Sequence, residues 1–148
     1  MDVIEVTKDL VSHNSASQLS NASVSKAAAR WMRKAGMQVE FVEYLDPDGV
    51  LKVNVVGKKG IGKGGLSMMG HSDVVPAEGW QQDPFKLTAR GGRLYGRGSA
   101  DMKGSVACML MAAAAFSRKE LKRPVYVIVT ADEEINCRGA VKVMEKSE

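Results

Sequence analysis

The run Val125-Tyr126-Val127-Ile128-Val129, directly after Pro124, constrains the fold more than any other segment. An unbroken β-branched and aromatic stretch reads as a strand covered on both faces, because a half-solvated strand would alternate apolar with polar residues. Strands of this kind belong to layered α/β domains, in which helices lie over the sheet. The rest of the chain can supply those helices. A first helix is expected over residues 2–13, then a polar stretch from His13 to Asn21 rich in cap and turn formers, then a second helix from about Ser23 to Ala35 with Gly36 as its C′ residue.

Strands follow at Val39 to Tyr44, Leu51 to Val56 and Leu66 to Met69, separated by the turn Asp46-Pro47-Asp48-Gly49 and by a Gly/Lys loop at residues 57–65. A hairpin from Phe85 to Tyr95 turns at Gly91-Gly92. Met102 to about Arg118 reads as an Ala/Met-rich helix, and a last helix starts near Arg138. The longest apolar run, Val106 to Phe116, is shorter than the ~20 residues that span a bilayer and is expected to be a buried helix.

Three polar clusters punctuate this pattern: His71-Ser72-Asp73, Asp101-Met102-Lys103-Gly104 and Asp132-Glu133-Glu134. Asp101 follows His71 by 30 positions and Glu134 follows Asp101 by 33, roughly one strand-plus-crossover unit each, so each cluster is expected at a strand end. The carboxyl edge of an open α/β sheet is where ligands usually bind.

Each cluster also has a plain structural reading. A histidine near an aspartate is commonly structural; Asp101 stands where a helix N-cap would; Asp132 can cap a turn. Three adjacent carboxylates nevertheless repel one another unless they are solvated, protonated or neutralised by cations. A carboxylate such as Asp101 has two oxygens and can join two cations about 3.5–4 Å apart. Of two neighbouring glutamates, one can bind an ion while the other takes a proton from water. Together the clusters hold the ligand types of a hydrolytic site built on two divalent metals.

Other chemistries fail on context. Residues 60–65 formally match GxGxxG, and residues 57–63 match most of a Walker A loop, but both need a helix after the loop and Leu66 to Met69 reads as a strand. There is no GxSxG elbow. Cys108 and Cys137, without a CxxC pattern, are expected to be small buried residues. The net charge of +4 is spread among interleaved acids with only 5% aromatic residues, so no nucleic-acid partner is expected. The N-terminal residues carry neither a basic nor an apolar leader segment, and a cytoplasmic location without membrane partners is expected.

Gly70 to Pro76, Trp80 with Asp83-Pro84-Phe85, Leu94 to Gly98, Asp101 to Gly104 and Thr130 to Glu134 occur in the order of a known family. The chain resembles the dinuclear zinc metallopeptidases that include acetylornithine deacetylase, succinyl-diaminopimelate desuccinylase, aminoacylase and glutamate carboxypeptidases. The resemblance implies a three-layer α/β/α, zinc-exopeptidase-like catalytic domain with a mixed central sheet. It implies that His71 binds one metal, Asp101 bridges two, Glu134 binds the other, Glu133 is the general base and Asp73 orients His71. It also implies a cis peptide at Asp101-Met102.

By the same resemblance the cofactors are two divalent ions, Zn2+ foremost with Co2+ or Mn2+ as alternatives. The reaction would be hydrolysis of an N-acyl amino acid, as in acetylornithine deacetylase, by a metal-bridging water. Residues 1–148 would form the N-terminal portion of a catalytic domain, without the lid or dimerisation domain and the C-terminal segment that complete family members, and the parent protein would be a homodimer. Two alternatives stand: a catalytically incomplete module that binds metal or pairs with a complementary chain, and a dipeptidase or desuccinylase of the same family.

Overall fold

The computed structural model describes residues 1–116 and 121–147. Four helices, α1 (Val3–Val11), α2 (Ala22–Lys34), α3 (Lys103–Ala115) and α4 (Arg138–Ser147), accompany six strands: β1 (Gln38–Leu45), β2 (Leu51–Lys59), β3 (Leu66–His71), β4 (Thr88–Arg90), β5 (Arg93–Tyr95) and β6 (Val125–Thr130). The main sheet has the order β1-β2-β6-β3, with β4 and β5 forming a separate hairpin. It is mixed: β1 with β2 and β2 with β6 are antiparallel, whereas β3 runs parallel to β6.

Register sorts the side chains. Val55, Val127 and Val129 face a core shared with Val6 and Leu10 of α1, Val24, Ala28 and Met32 of α2, and Val106 and Leu110 of α3. Full burial of each Val or Leu contributes about 1.5–3 kcal/mol. On the opposite face lie Val42, Asn54 and α4, whose Gly139 backs onto Ala131 and Asn54. The result is a layered α/β unit with α1, α2 and α3 on one side and α4 on the other.

β6 is interior to the sheet, as its unbroken apolar sequence demands, although only Val127, Val129 and Thr130 are fully buried and Val125, Tyr126 and Ile128 are half-covered. α1 starts at Asp2, whose Oδ1 accepts from the amide of Ile4. α2 ends as expected, with Gly36 at φ 78, the left-handed conformation glycine adopts freely. The Asp46 turn closes through Asp46 Oδ1, which accepts from the amides of Asp48 and Val50.

Three expectations are corrected. Only two polar clusters end strands of the main sheet, because Asp101 follows the β4–β5 hairpin and immediately precedes α3. The Val106 to Phe116 segment is not wholly buried: α3 turns Cys108 and Ala112 outward at four-residue spacing, since a single core covers only one side of it, and Phe116 just beyond its end is exposed too. Cys108 and Cys137 are both exposed, the first on that outer side of α3 and the second in the turn before α4. The expected extension of this helix to Arg118 lies outside the described residues. Among the described residues no helix is long and apolar enough to cross a membrane.

Candidate metal centre

Because β3 and β6 are parallel neighbours with His71 level with Thr130, whatever follows either strand emerges at the same sheet edge. His71 is the last residue of β3 and is buried. Its Nδ1 donates to the main-chain oxygen of Asp73 at 2.9 Å, which leaves Nε2 directed at Asp101 Oδ1, 3.1 Å away, with Glu133 Oε2 at 3.6 Å. One ligand atom each from His71, Asp101 and Glu134 lies within 4.8 Å of the other two. An imidazole with two carboxylates is a donor set that suits zinc, cobalt or manganese.

Asp101 reaches this point from the segment between β5 and α3. Met102 is the residue before α3 and makes no side-chain cap bond, so Asp101 is not consumed in capping and its side chain stays 77% exposed. The Asp101-Met102 peptide is cis. Glu133 and Glu134 follow the end of β6 in a turn closed by Asp132 O, which accepts from the amides of Asn136 and Cys137. Asp132 therefore caps this turn through its carbonyl, while its side chain goes elsewhere.

Asp73 stands in an unexpected relation to the histidine. The orienting acceptor for His71 is its main-chain carbonyl, with the carboxylate Oδ1 at 3.6 Å. That buried carboxylate instead accepts from Ser17 Oγ at 2.9 Å and from the amides of Glu133 and Glu134, each at 3.1 Å. One aspartate thus ties the β3 end to the glutamate turn.

The electrostatics favour a cation. Burial pushes the Glu134 carboxyl above its ordinary range, His71 opposes that, and Asp101, Asp73 and Glu133 add repulsion. Burial alone would lower His71, but the Asp73 side chain and carbonyl, with Glu133, outweigh it and bring the imidazole up to about 9. Burial would raise Asp73, yet the nearby His71 ring, 3.6 Å away, and the bonds from Ser17 and the two glutamate amides bring it below the usual carboxylate range. Without a metal, a proton on His71 partly balances the acidic cluster.

Several residues that build the site carry no sequence signal of chemistry. The middle of the polar stretch after α1, Ser15 to Ser17, is buried and pairs with the loop leaving β3: Ala16 bridges Val74, Ser15 Oγ donates to Ser72 O, and Ser17 Oγ holds Asp73. Asn21 ties the start of α2 to Val53 and Ser72. Lys103, fully buried, donates to His13 O at 2.8 Å, and burial pushes its ammonium down to about 7 against the pull of Asp73. The turn-forming composition of residues 13–21 was the available hint, and it reads equally well as an exposed loop.

A cavity of about 330 Å³ opens beside the cluster, lined by Val75, Trp80, Arg97, Ser99, Asp101 and Glu134. The Arg97 guanidinium lies 5.3 Å from the Trp80 ring centre, and its Nη2 donates to Pro76 O. A larger hollow of about 840 Å³, between the 79–83 loop and the β4–β5 hairpin, shares only Trp80 with it.

Residues 68–148, which hold all three clusters, match the model of peptidase family M20/M25/M40. The chain belongs to this family. Among M20 relatives, acetylornithine deacetylase of Myxococcus xanthus is 40% identical over 140 residues, covering 93% of this chain and 36% of that protein. Acetylornithine deacetylase of Vibrio atlanticus is 41% identical over 145 residues, covering 93% and 37%. The chain therefore spans about a third of the length of the curated relatives it matches. Human carnosine dipeptidase 1 superposes with a TM-score of 0.80 at 27% identity over 98% of this chain and 35% of its own. A dinuclear metal binding peptidase of the M20 family from Bacillus subtilis superposes at 0.70 with 23% identity, covering 98% and 38%, a likeness of fold.

Proposed function

We propose that this M20-family chain carries the first part of a two-metal amidohydrolase centre acting on N-acyl amino acids. The observation that carries the reading is the convergence of His71, Asp101 and Glu134 from three separate segments to within 4.8 Å, with a Glu133 oxygen 3.6 Å from His71 Nε2. His71 would hold one divalent ion, Glu134 a second, and Asp101, through its two oxygens, both; zinc is the first choice, with cobalt or manganese compatible with the same donors. When bound, such ions supply Lewis-acid polarisation of the amide carbonyl and make water acidic near neutral pH.

The remaining work falls to the chain. Asp73, through its carbonyl, keeps the His71 ring turned with Nε2 outward. Glu133 reaches the cluster but stays 49% exposed, so it can take a proton from the attacking water and return it to the departing amine. The cavity beside Asp101 and Glu134 offers room for the substrate, with Trp80 and Arg97 as walls.

Residues 1–148 would be the N-terminal portion of the catalytic domain, the lid or dimerisation domain and further ligands lying in the part of the relatives that this chain does not match. The names of the 40% relatives favour acetylornithine as the substrate class. The likeness to carnosine dipeptidase 1 favours a second reading, a dipeptidase built on the same centre. With unpaired, exposed thiols at Cys108 and Cys137, a reducing, cytoplasmic setting suits the chain.

Calorimetric zinc titration tests the centre directly. The chain should bind zinc, and Glu134→Ala should weaken binding by more than the ~10–100-fold that loss of an outer partner costs. Equal affinity in the two proteins would remove Glu134 from the centre. Hydrolysis of N-acetylornithine against a dipeptide, by the chain joined to the part of a relative that it does not match, then separates the two substrate readings.

A further inference from the structure

Asp132 is the residue at which the chain leaves β6 for the glutamates. It is buried and sits at φ 58, a left-handed conformation uncommon outside glycine and adopted among other residues most readily by Asn and Asp. Two side chains hold its carboxylate. Tyr44 Oη donates to Asp132 Oδ2 at 2.7 Å, and Lys52 Nζ lies 3.0 Å from Oδ1 as an ion pair rather than an in-line hydrogen bond. Lys52 is itself 1% exposed, and its ammonium also donates to the carbonyls of Ser17 and Leu19 and lies 3.5 Å from Asp46.

Sheet register explains why these residues meet. Val129 of β6 is opposite Val55 of antiparallel β2, so the chain three residues beyond Val129 is level with Lys52, and Lys52 is opposite Tyr44 of β1. The glutamate turn is thus gripped twice: from the sheet side through the Asp132 carboxylate, and from the β3 side through Asp73, which accepts the Glu133 and Glu134 amides. The bonds of Tyr44 and Lys52 end at Asp132, not at the ligands.

We propose that Tyr44 and Lys52 are positioning residues of the metal centre: by clamping Asp132 they set the direction in which Glu133 and Glu134 leave β6. Lys52 in addition supplies the counter-charge that a buried carboxylate requires. The inference rests on the metal-centre reading above, and the experiment separates the two.

Amide hydrogen exchange and zinc calorimetry are measured on the chain and its Tyr44→Phe, Lys52→Met and Lys52→Arg variants. Tyr44→Phe, which removes a single hydroxyl, should speed exchange at the Glu133 and Glu134 amides about tenfold while Val127 and Val129 in β6 keep their protection. It should also weaken zinc binding ~10-fold or more, as loss of an outer partner does. Lys52→Met should do the same more strongly, and Lys52→Arg should recover most of the affinity. A purely structural role would instead raise exchange throughout β6 and leave the affinity of the folded protein unchanged, which overturns the proposal. So does unchanged exchange at the two glutamate amides in Tyr44→Phe, the variant that decides the matter should Lys52→Met not fold. Exchange needs no metal, so failure of the unaltered chain to bind zinc would count against the metal reading alone.

Discussion

At the scale of single residues, the site depends on atoms that sequence does not distinguish. His71 is oriented by the main-chain oxygen of Asp73, and the Asp73 carboxylate is spent on Ser17 and two amides. Asp73→Asn keeps the size but replaces one acceptor oxygen with a donor facing an amide. We expect a loss of about 1–3 kcal/mol in denaturant unfolding, the cost of leaving a buried polar group unsatisfied, together with weaker zinc binding. His71 gives a pH signature. Its imidazole is raised from 6.5 to about 9, so in the metal-free chain its contribution to stability is complete below pH 6.5 and disappears as pH rises through 9. Zinc requires the neutral ring, so binding should tighten as pH rises toward 9 and release a proton in the intervening range, which calorimetry in buffers of different ionisation enthalpy reads as a buffer-dependent heat.

At the scale of elements, parallel pairing of β3 with β6 brings His71 to the glutamate turn, and α4 braces that turn from behind. A Cβ on Gly139 would come 2.2 Å from Ala131 O and 2.5 Å from Asn54 Oδ1, an approach only glycine permits. Asn54 Oδ1 also accepts from the amide of Ala131 at 2.9 Å, so displacement there reaches the residue just before Asp132. Gly139→Ala should lower unfolding free energy by about 1–3 kcal/mol, the usual cost of overpacking, and reduce zinc affinity. A stable variant with unaltered affinity would mean that α4 and the turn are mechanically independent.

For the whole molecule, the relevant quantity is how many ions the proposed centre holds in this chain. Among the described residues a single group of three candidate ligands converges, and three ligands serve one ion better than two. We expect titration of the chain alone to saturate near one zinc per chain. Supplying the segment that the longer relatives possess should raise the stoichiometry to two. β3 is an edge of the sheet, with Leu66 59% and Met69 43% exposed, so added chain can pair there or cover it. Two tight ions in the chain alone would mean that further donors lie within it.

Sequence by itself determined most of the elements and the family. The 125–129 run could only be an interior strand, Gly36 and the Asp46 turn ended their elements where expected, and the order of the His71, Asp101 and Glu134 motifs carried the family. These are local properties of backbone conformation and hydrophobic pattern, which neighbouring residues are enough to set. Only the tertiary structure decided that Ser15, Ala16 and Ser17 are buried against the β3 loop, that Lys52 and Tyr44 meet Asp132, that the Asp73 carbonyl faces His71, and that α3 and both cysteines expose a side to solvent. Those facts come from strand register and from which elements share the core, and contacts between residues distant in the chain cannot be read from the composition of either partner alone.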